Sequence, residues 1–293
     1  MEETKKAPLR RVGLEIEKAA ELGFCTGVRR AIDILERAAR EIGPLQTLGP
    51  VVHNQQVVEG LARSGIKAVE SLDHVQGNIL AISSHGVSPQ VLEQIRDRGL
   101  QIVDTTCPFV RRAQVAARRL AQAGFFVIIF GEEGHPEVQG VLGWAGGKGF
   151  ATLEPPKFDK IPRRIGILSQ TTQSYSGFAR FVASFIGTSL ATLSELRVVN
   201  TICDATRKRQ QAALELASRV DLMVVVGGRK SANSRRLAEI CTAAGVETYL
   251  IERAAEIDPA WLRNHRRVGV TAGASTPDQA IEEVIAKLKH LDR

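Results

Sequence analysis

Three cysteines recur in one local setting, each at the threshold of a helix-like segment with two basic residues about one turn later. The stretches are Gly23-Phe24-Cys25-Thr26-Gly27-Val28-Arg29-Arg30, Thr106-Cys107-Pro108-Phe109-Val110-Arg111-Arg112 and Ile202-Cys203-Asp204-Ala205-Thr206-Arg207-Lys208. They divide the chain into similar thirds, a period too long for a solenoid, and predict three compact lobes around a pseudo-threefold centre. A thiol at a helix start is favoured as thiolate by the helix dipole. Three thiolates at one centre are too few for a closed tetrahedral metal site, so one metal position would stay open.

The spacing matches neither a clustered ferredoxin run nor a zinc-finger pair. A zinc ion held by three cysteines and a histidine also satisfies it, as does plain core packing of small apolar thiols. Cys241 lies inside the amphipathic stretch Leu237-Ala238-Glu239-Ile240-Cys241 and is expected to be core. The basic pairs have two readings, one pointing inward to the thiolates and one solvated or bound to nearby carboxylates.

Short apolar runs alternate with helical patterns from end to end. Ile79–Ile82, Phe125–Phe130, Ile165–Leu168, Leu222–Val226 and Val268–Val270 read as strands; Ala31–Glu41, Ala113–Ala123, Gln210–Arg219 and Ser234–Ala244 read as helices. This is the pattern of an α/β protein with small, mainly parallel sheets, whose ligands collect beyond the carboxyl ends of the strands. The expected lobes are 13–106 with Cys25, 107–202 with Cys107 and 203–293 with Cys203, enclosing a central cavity. The Pro/Lys-rich stretch from Glu154 to Arg164 reads as a surface loop.

Six polar loops follow or close apolar runs. They are Val52-His53-Asn54, Ser83-Ser84-His85-Gly86, Gly134-His135-Pro136-Glu137, Ser169-Gln170-Thr171-Thr172, Lys230-Ser231-Ala232-Asn233-Ser234 and Ala272-Gly273-Ala274-Ser275-Thr276. Backbone amides at helix N-termini with Ser, Thr, Asn and His donors are what a phosphate or diphosphate requires. Each loop alone has a plainer reading: Ser231 or Asn233, and Ser275 or Thr276, as helix caps, and His53 as a structural histidine. Glu137, close to His135, is a candidate proton donor beside a redox centre; alone it would read as a solvated loop residue.

Hydrophobic residues form 44% and charged residues 24% of the 293, which fits a soluble globular chain with a sizeable core. The net charge of +7 favours anionic partners. Aromatics at 5% are too sparse for a base-stacking surface, so no nucleic-acid partner is expected. A basic binding module with a structural zinc is the reading of a different class, and it leaves the phosphate-suited loops unexplained. Four cysteines in a chain of this length make no disulfide framework, the charged N-terminal stretch resembles no signal peptide, and the longest apolar run cannot span a bilayer. No membrane partner and a reducing cytoplasm are expected.

Taken in order, Gly23-Phe24-Cys25-x-Gly27-Val28, Val52-His53-Asn54, Ser84-His85-Gly86-Val87, Asp104-x-Thr106-Cys107-Pro108, Gly134-His135-Pro136-Glu137-Val138, Gln170-Thr171-Thr172, Ile202-Cys203-x-Ala205-Thr206 and Thr271-Ala272-Gly273-Ala274-Ser275 carry a resemblance. The chain resembles the 4-hydroxy-3-methylbut-2-enyl diphosphate reductases of the non-mevalonate isoprenoid pathway, from about Gly23 to the C-terminus. The resemblance implies a [4Fe–4S] cluster held by Cys25, Cys107 and Cys203 in the central cavity, with one iron open to the substrate's hydroxyl. It implies that His53, His85, His135, Ser231, Ala232, Asn233 and Ser275 line the diphosphate site, and that Thr171, supported by Thr172 and Gln170, bonds the hydroxyl. Glu137 would head the proton path, with His135 assisting. Two electrons from ferredoxin or flavodoxin, with two protons, would remove the hydroxyl as water and give isopentenyl and dimethylallyl diphosphates.

Two positions depart from the family pattern. Ala232 stands where a second serine is usual, and a lost hydroxyl contact there would cost about 0.5–1.5 kcal/mol of affinity. Thr26 occupies a position more often Ala or Phe, beside the expected cluster.

Overall fold

The computed structural model describes residues 13–158 and 162–291. In chain order these form β1 (Glu15–Lys18), α1 (Thr26–Ile42), β2 (Leu45–Leu48), α2 (Gln55–Arg63), β3 (Ile66–Val69), β4 (Ile79–Ile82), α3 (Pro89–Asp97) and β5 (Gln101–Asp104). The middle third continues with α4 (Pro108–Gln122), β6 (Phe126–Phe130), α5 (Pro136–Trp144), β7 (Gly149–Thr152), β8 (Arg164–Ser169), α6 (Tyr175–Ser189) and β9 (Glu195–Val199). The last third holds α7 (Asp204–Ala217), β10 (Leu222–Val226), α8 (Ala232–Ala243), β11 (Glu247–Ile251), β12 (Arg267–Ala272) and α9 (Asp278–Leu291), and short 3₁₀ turns fill several connections. Part of the Glu154–Arg164 stretch lies outside the described residues.

The strands make three four-stranded sheets, β3-β2-β4-β5, β7-β6-β8-β9 and β11-β10-β12-β1, and every strand pair is parallel. All three sheets share one plan. The first strand of each unit lies inside, the second outside it, and the third and fourth follow on the other flank. The exception is the origin of the last strand. β1, expected in the first lobe, instead pairs with β12 in the register Glu15↔Arg267 to Lys18↔Val270 and completes the third sheet. The run Glu-Ile-Glu-Lys has too little apolar content to nucleate a sheet alone, and the open flank of β12 satisfies its backbone groups.

Helices cover both faces of each sheet, so the inner strands can be apolar throughout. All five residues of β10 are fully buried. Their side chains alternate: Val224 and Val226 meet Ile281, Val284 and Leu288 of α9, while Met223 and Val225 meet Leu216 of α7 and Leu237 of α8. Each fully buried aliphatic side chain contributes about 1.5–3 kcal/mol.

The helix after each cysteine packs not on the sheet just completed but on the next one. Val28, Ala31 and Leu35 of α1 join Leu45 of β2 and Ala81 of β4. Ala113, Ala117 and Leu120 of α4 join Val127, Ile129 and Leu168 of β6 and β8, and Ala213, Leu216 and Ala217 of α7 join β10. The cysteines therefore sit at the hand-overs between lobes.

Glycine lets the crossover helices settle on the third strands. A Cβ on Gly166 of β8 would lie 2.8 Å from both methyl carbons of Leu120, and one on Gly269 of β12 would lie 2.9 Å from Cγ of Leu216. Gly166→Ala is therefore expected to cost about 1–3 kcal/mol in urea unfolding. Combined with Leu120→Ala, which removes the obstructing methyls, it should cost less than the sum of the two single changes. Strict additivity would mean that the contact is not strained.

Candidate functional site

The shared plan of the sheets fixes where the polar loops go. In a parallel sheet of this order, chain leaving the first strand turns to one side and chain leaving the third turns to the other, opening a crevice at their carboxyl ends. His53 follows β2, His135 follows β6 and Ser231 follows β10, all first strands. His85 follows β4, Thr171 and Thr172 follow β8, and Ser275 follows β12, all third strands. The cysteines come after the fourth strands.

Each cysteine is tied to a third-strand loop through its own backbone. The amide of Cys25 donates to the Ala274 carbonyl, that of Cys107 to Ser84 and that of Cys203 to Thr171, each at 3.0 Å. In consequence one pocket is lined by Cys25, Cys107 and Cys203 together with His53, His85, His135, Glu137, Thr171, Thr172, Ser231, Ala232, Asn233 and Ser275. Of the residues that the resemblance implies, Gln170 alone does not line it, its side-chain oxygen accepting the Glu132 amide at 3.0 Å.

All three pocket cysteines are free thiols at helix N-caps with extended backbone. Sγ of Cys25 accepts from the Val28 amide at 3.4 Å. Burial pushes the Cys107 and Cys203 thiols up; the amides of Phe109 and Val110, and of Thr206 and Ala205, oppose this without forming full capping bonds. Gly27 keeps the centre open, since a Cβ there would lie 2.7 Å from Sγ of Cys107 and 3.8 Å from that of Cys25. Cys241 is fully buried in the core under α8, its thiol pushed up to about 11 by burial, and does not line the pocket.

Three histidines form the opposite wall. The His53 and His85 rings stack with centroids 4.7 Å apart, and His135 meets both edge-on at 5.4 Å. Burial, the largest cause in each case, lowers all three: His135 to about 4, His85 well below its ordinary value, and His53 with help from Arg235 and Lys230. Their ligand nitrogens lie within 4.8 Å of one another, close enough for a cation. The hydrogen bonding of His135 favours an anion instead. Its Nδ1 accepts from the Glu137 amide at 3.2 Å, so the neutral ring carries its proton on Nε2 and presents a donor.

Glu137, near the start of α5, is buried at 3% exposure. One carboxylate oxygen accepts the Thr171 amide and the other the Thr171 hydroxyl, both at 2.7 Å. Burial raises its pKa, and the two Thr171 bonds only partly offset the rise. The expectation of a possible solvated loop glutamate is excluded, because a protonatable acid and a hydroxyl are locked together at the pocket wall.

Several buried polar atoms of the pocket lining have no protein partner: Nε2 of His53, Oγ1 of Thr172, Nδ2 of Asn233, Oγ of Ser275 and Nε of Arg209. Such atoms are costly to bury unsatisfied, so their convergence describes a polar ligand site. The capping reading holds for Ser231, whose hydroxyl accepts the Ser234 amide at 3.3 Å. It fails for Asn233, whose Oδ1 instead accepts the Ala274 amide at 3.0 Å and leaves Nδ2 free. Residues 232–234, expected in a loop, form the first turn of α8, because the Ser231 cap starts the helix earlier. Ala232 adds a buried apolar surface to the lining.

The sequence reading missed Arg209, which lines the pocket at 3% exposure. Its signal was its place on the buried stripe of α7 with Thr206, Ala213 and Leu216. The basic pairs turn away from the thiols. Arg29 meets Asp278 at 3.3 Å, Arg111 pairs with Asp104, and Arg207 lies 3.9 Å from Asp204.

Among the described residues no helix is long and apolar enough to cross a membrane. The sequence pattern of the LytB protein family matches residues 16–289. A 4-hydroxy-3-methylbut-2-enyl diphosphate reductase of Dehalococcoides mccartyi strain CBDB1 is 52% identical over 281 residues, covering 95% of this chain and 99% of the relative. The enzyme of that name from Geotalea uraniireducens is 42% identical, covering 96% and 99%. The solved E-1-hydroxy-2-methyl-but-2-enyl-4-diphosphate reductase of Plasmodium falciparum superposes with a TM-score of 0.87 at 28% identity, over 94% of this chain and 87% of that one. With all of its parallel-sheet framework but Glu15, and every site-bearing loop, inside the matched span, the chain belongs to the LytB family.

Proposed function

We propose that this protein is a 4-hydroxy-3-methylbut-2-enyl diphosphate reductase of the non-mevalonate isoprenoid pathway. One observation carries the reading: three free thiols, a buried acid and a set of unsatisfied polar groups line one pocket. The relatives' names supply the activity, and the pocket supplies groups suited to it.

The donor set fits an iron–sulfur cluster, because soft thiolates converge from three helix N-termini and the lining offers no fourth cysteine. Cys25, Cys107 and Cys203 would hold a [4Fe–4S] cluster, which when bound supplies electrons and an open Lewis-acidic position. His53, His85 and His135 would donate to the diphosphate, with Asn233 Nδ2 and the Ser275 and Ser231 hydroxyls completing the cradle. Thr171 would bond the substrate's hydroxyl, and Thr172 would add a donor beside it. Glu137, holding its proton more firmly than an ordinary carboxyl, would pass it through Thr171 to the departing oxygen. In balance, the substrate takes up two electrons and two protons and loses one water, the carbon–oxygen bond breaking and a carbon–hydrogen bond forming. Protonation at either end of the allylic system gives isopentenyl or dimethylallyl diphosphate. The apolar lining from Val28, Val52, Phe109 and Val110 would keep water from the reacting carbon. Ferredoxin or flavodoxin would deliver the electrons in the cytoplasm, and lobes 107–202 and 203–293 with the first lobe would each contribute one thiol.

Protein reconstituted with iron and sulfide without oxygen should be brown, absorbing near roughly 400 nm. Cys25→Ser, Cys107→Ser and Cys203→Ser should each lose that colour while Cys241→Ala keeps it; a colourless wild-type protein would refute the cluster.

Glu137→Gln should lower turnover by about 100-fold or more while the absorption spectrum stays unchanged. Turnover close to wild type would remove Glu137 from the proton path.

The histidines are held neutral in the ligand-free pocket, and an anion placed against them favours their charged forms. Inorganic pyrophosphate should therefore bind with proton uptake at His135, more tightly as pH falls towards about 4, and the uptake should shrink in His135→Asn. Calorimetry in two buffers of different ionisation enthalpy measures it, and equal uptake by both proteins would contradict the assignment.

A further inference from the structure

Basic residues that follow the cysteines tie each cysteine's helix to the turn that leads into the next cysteine. Nη1 of Arg30 donates to the Thr106 carbonyl at 3.3 Å, and Nη2 of Arg112 donates to the Ile202 carbonyl at 3.4 Å. Both carbonyls immediately precede the next cysteine. In the third hand-over the equivalent role falls not to Lys208 but to Arg209, whose Nη2 donates to the Gly23 carbonyl at 2.8 Å. Gly23 has a φ of 75°, the left-handed turn that carries the chain into Phe24 and Cys25.

Arg209 differs from the other two in its surroundings. It is 3% exposed, whereas Arg30 and Arg112 are exposed residues. Its Nη1 donates to the Ala205 carbonyl at 3.0 Å, so both of its hydrogen bonds go to neutral carbonyls, and Nε has no partner. Among the described residues, no carboxylate is seen to form a hydrogen bond or ion pair with it. Burial works against its charge, and the negative groups that support it are Cys25, then Glu21, then Cys203. Arginine does not lose its proton in proteins. A cation buried without a paired anion is strongly destabilising, so this position calls for negative charge in the pocket that Arg209 lines with Cys25 and Cys203.

We propose that Arg209 is the fixed countercharge of the thiolate centre: it clamps the Cys25 turn to α7 and favours the reduced state of the cluster by offsetting each added electron. The inference rests on the iron–sulfur reading above. Its physical basis is the low dielectric of a buried site, where a fixed positive charge acts strongly on a neighbouring change of charge. Arg209 is on this view a positioning and tuning residue that need not touch substrate.

The test is a mediated reductive titration, followed by electron paramagnetic resonance, of anaerobically reconstituted wild type, Arg209→Gln and Arg209→Lys. Iron content and circular-dichroism melting are measured on each. The one-electron reduction equilibrium of Arg209→Gln should move against the reduced form by about tenfold or more, which is 59 mV for one electron. Arg209→Lys, which keeps the charge and loses the planar fork, should stay within about threefold of wild type. An unmoved potential in a fully loaded Arg209→Gln overturns the proposal. If the glutamine variant folds but takes up no iron while the lysine variant loads, the charge is required and the proposal stands; if both variants lose iron equally, the role is packing and the proposal falls. Wild-type protein that never acquires iron would instead overturn the iron–sulfur reading itself.

Discussion

A single backbone contact, made three times, organises the molecule around its pocket: the amide of each cysteine donates to a carbonyl in the loop after the third strand of a sheet. The contact joins two loops that descend from adjacent parallel strands, so the thiol's position is set by sheet register. That register is costly to change, because a slip of one residue would exchange the side chains packed on a strand's two faces. The same third-strand loops carry His85, Thr171 and Ser275. Thiols and polar side chains are therefore parts of one rigid frame, as a preorganised site requires.

Electrostatics in the frame are divided by wall. On the thiol side, helix N-termini and Arg209 supply positive potential where negative charge would collect. On the other side, burial holds three imidazoles neutral until an anion arrives. Glu137 lines the same pocket, joined to Thr171 by two short bonds. On the proposed reading, this arrangement separates the tasks of accepting electrons, binding an anion and moving a proton while keeping all three within one pocket.

What could be read in the sequence follows the position of each strand in its sheet. β4, β6, β8, β10 and β12 were all visible as apolar runs, and all are inner strands buried on both faces. β1, β3, β5, β7, β9 and β11 are edge strands, short and partly polar, with sequences such as Glu-Ile-Glu-Lys and Gln-Ile-Val-Asp that carry no clear period. Inner β2 also escaped, because Gln46 and Thr47 interrupt the apolar run of Leu-Gln-Thr-Leu. The site residues were legible because polar loops stand out against apolar strands. Their partners were not: the Asn233–Ala274 bond and the Glu137–Thr171 pair join residues far apart in the chain. Arg209 was hidden among neighbouring basic residues, although its helical position marked it as buried.

The third sheet has a consequence for how the molecule must be assembled. Residues 15–18 close a sheet whose other strands lie beyond residue 221, and Arg209 reaches back to Gly23 across the same seam. The chain thus forms a loop of modules, each holding one half of its neighbour's thiol mount. Long-range closure of this kind is slow in loop-entropy terms, and the Cys25 mount takes its final form only when the two distant segments meet. The three-thiol centre is therefore a product of the completed circuit, and the seam between β1 and β12 is its clasp.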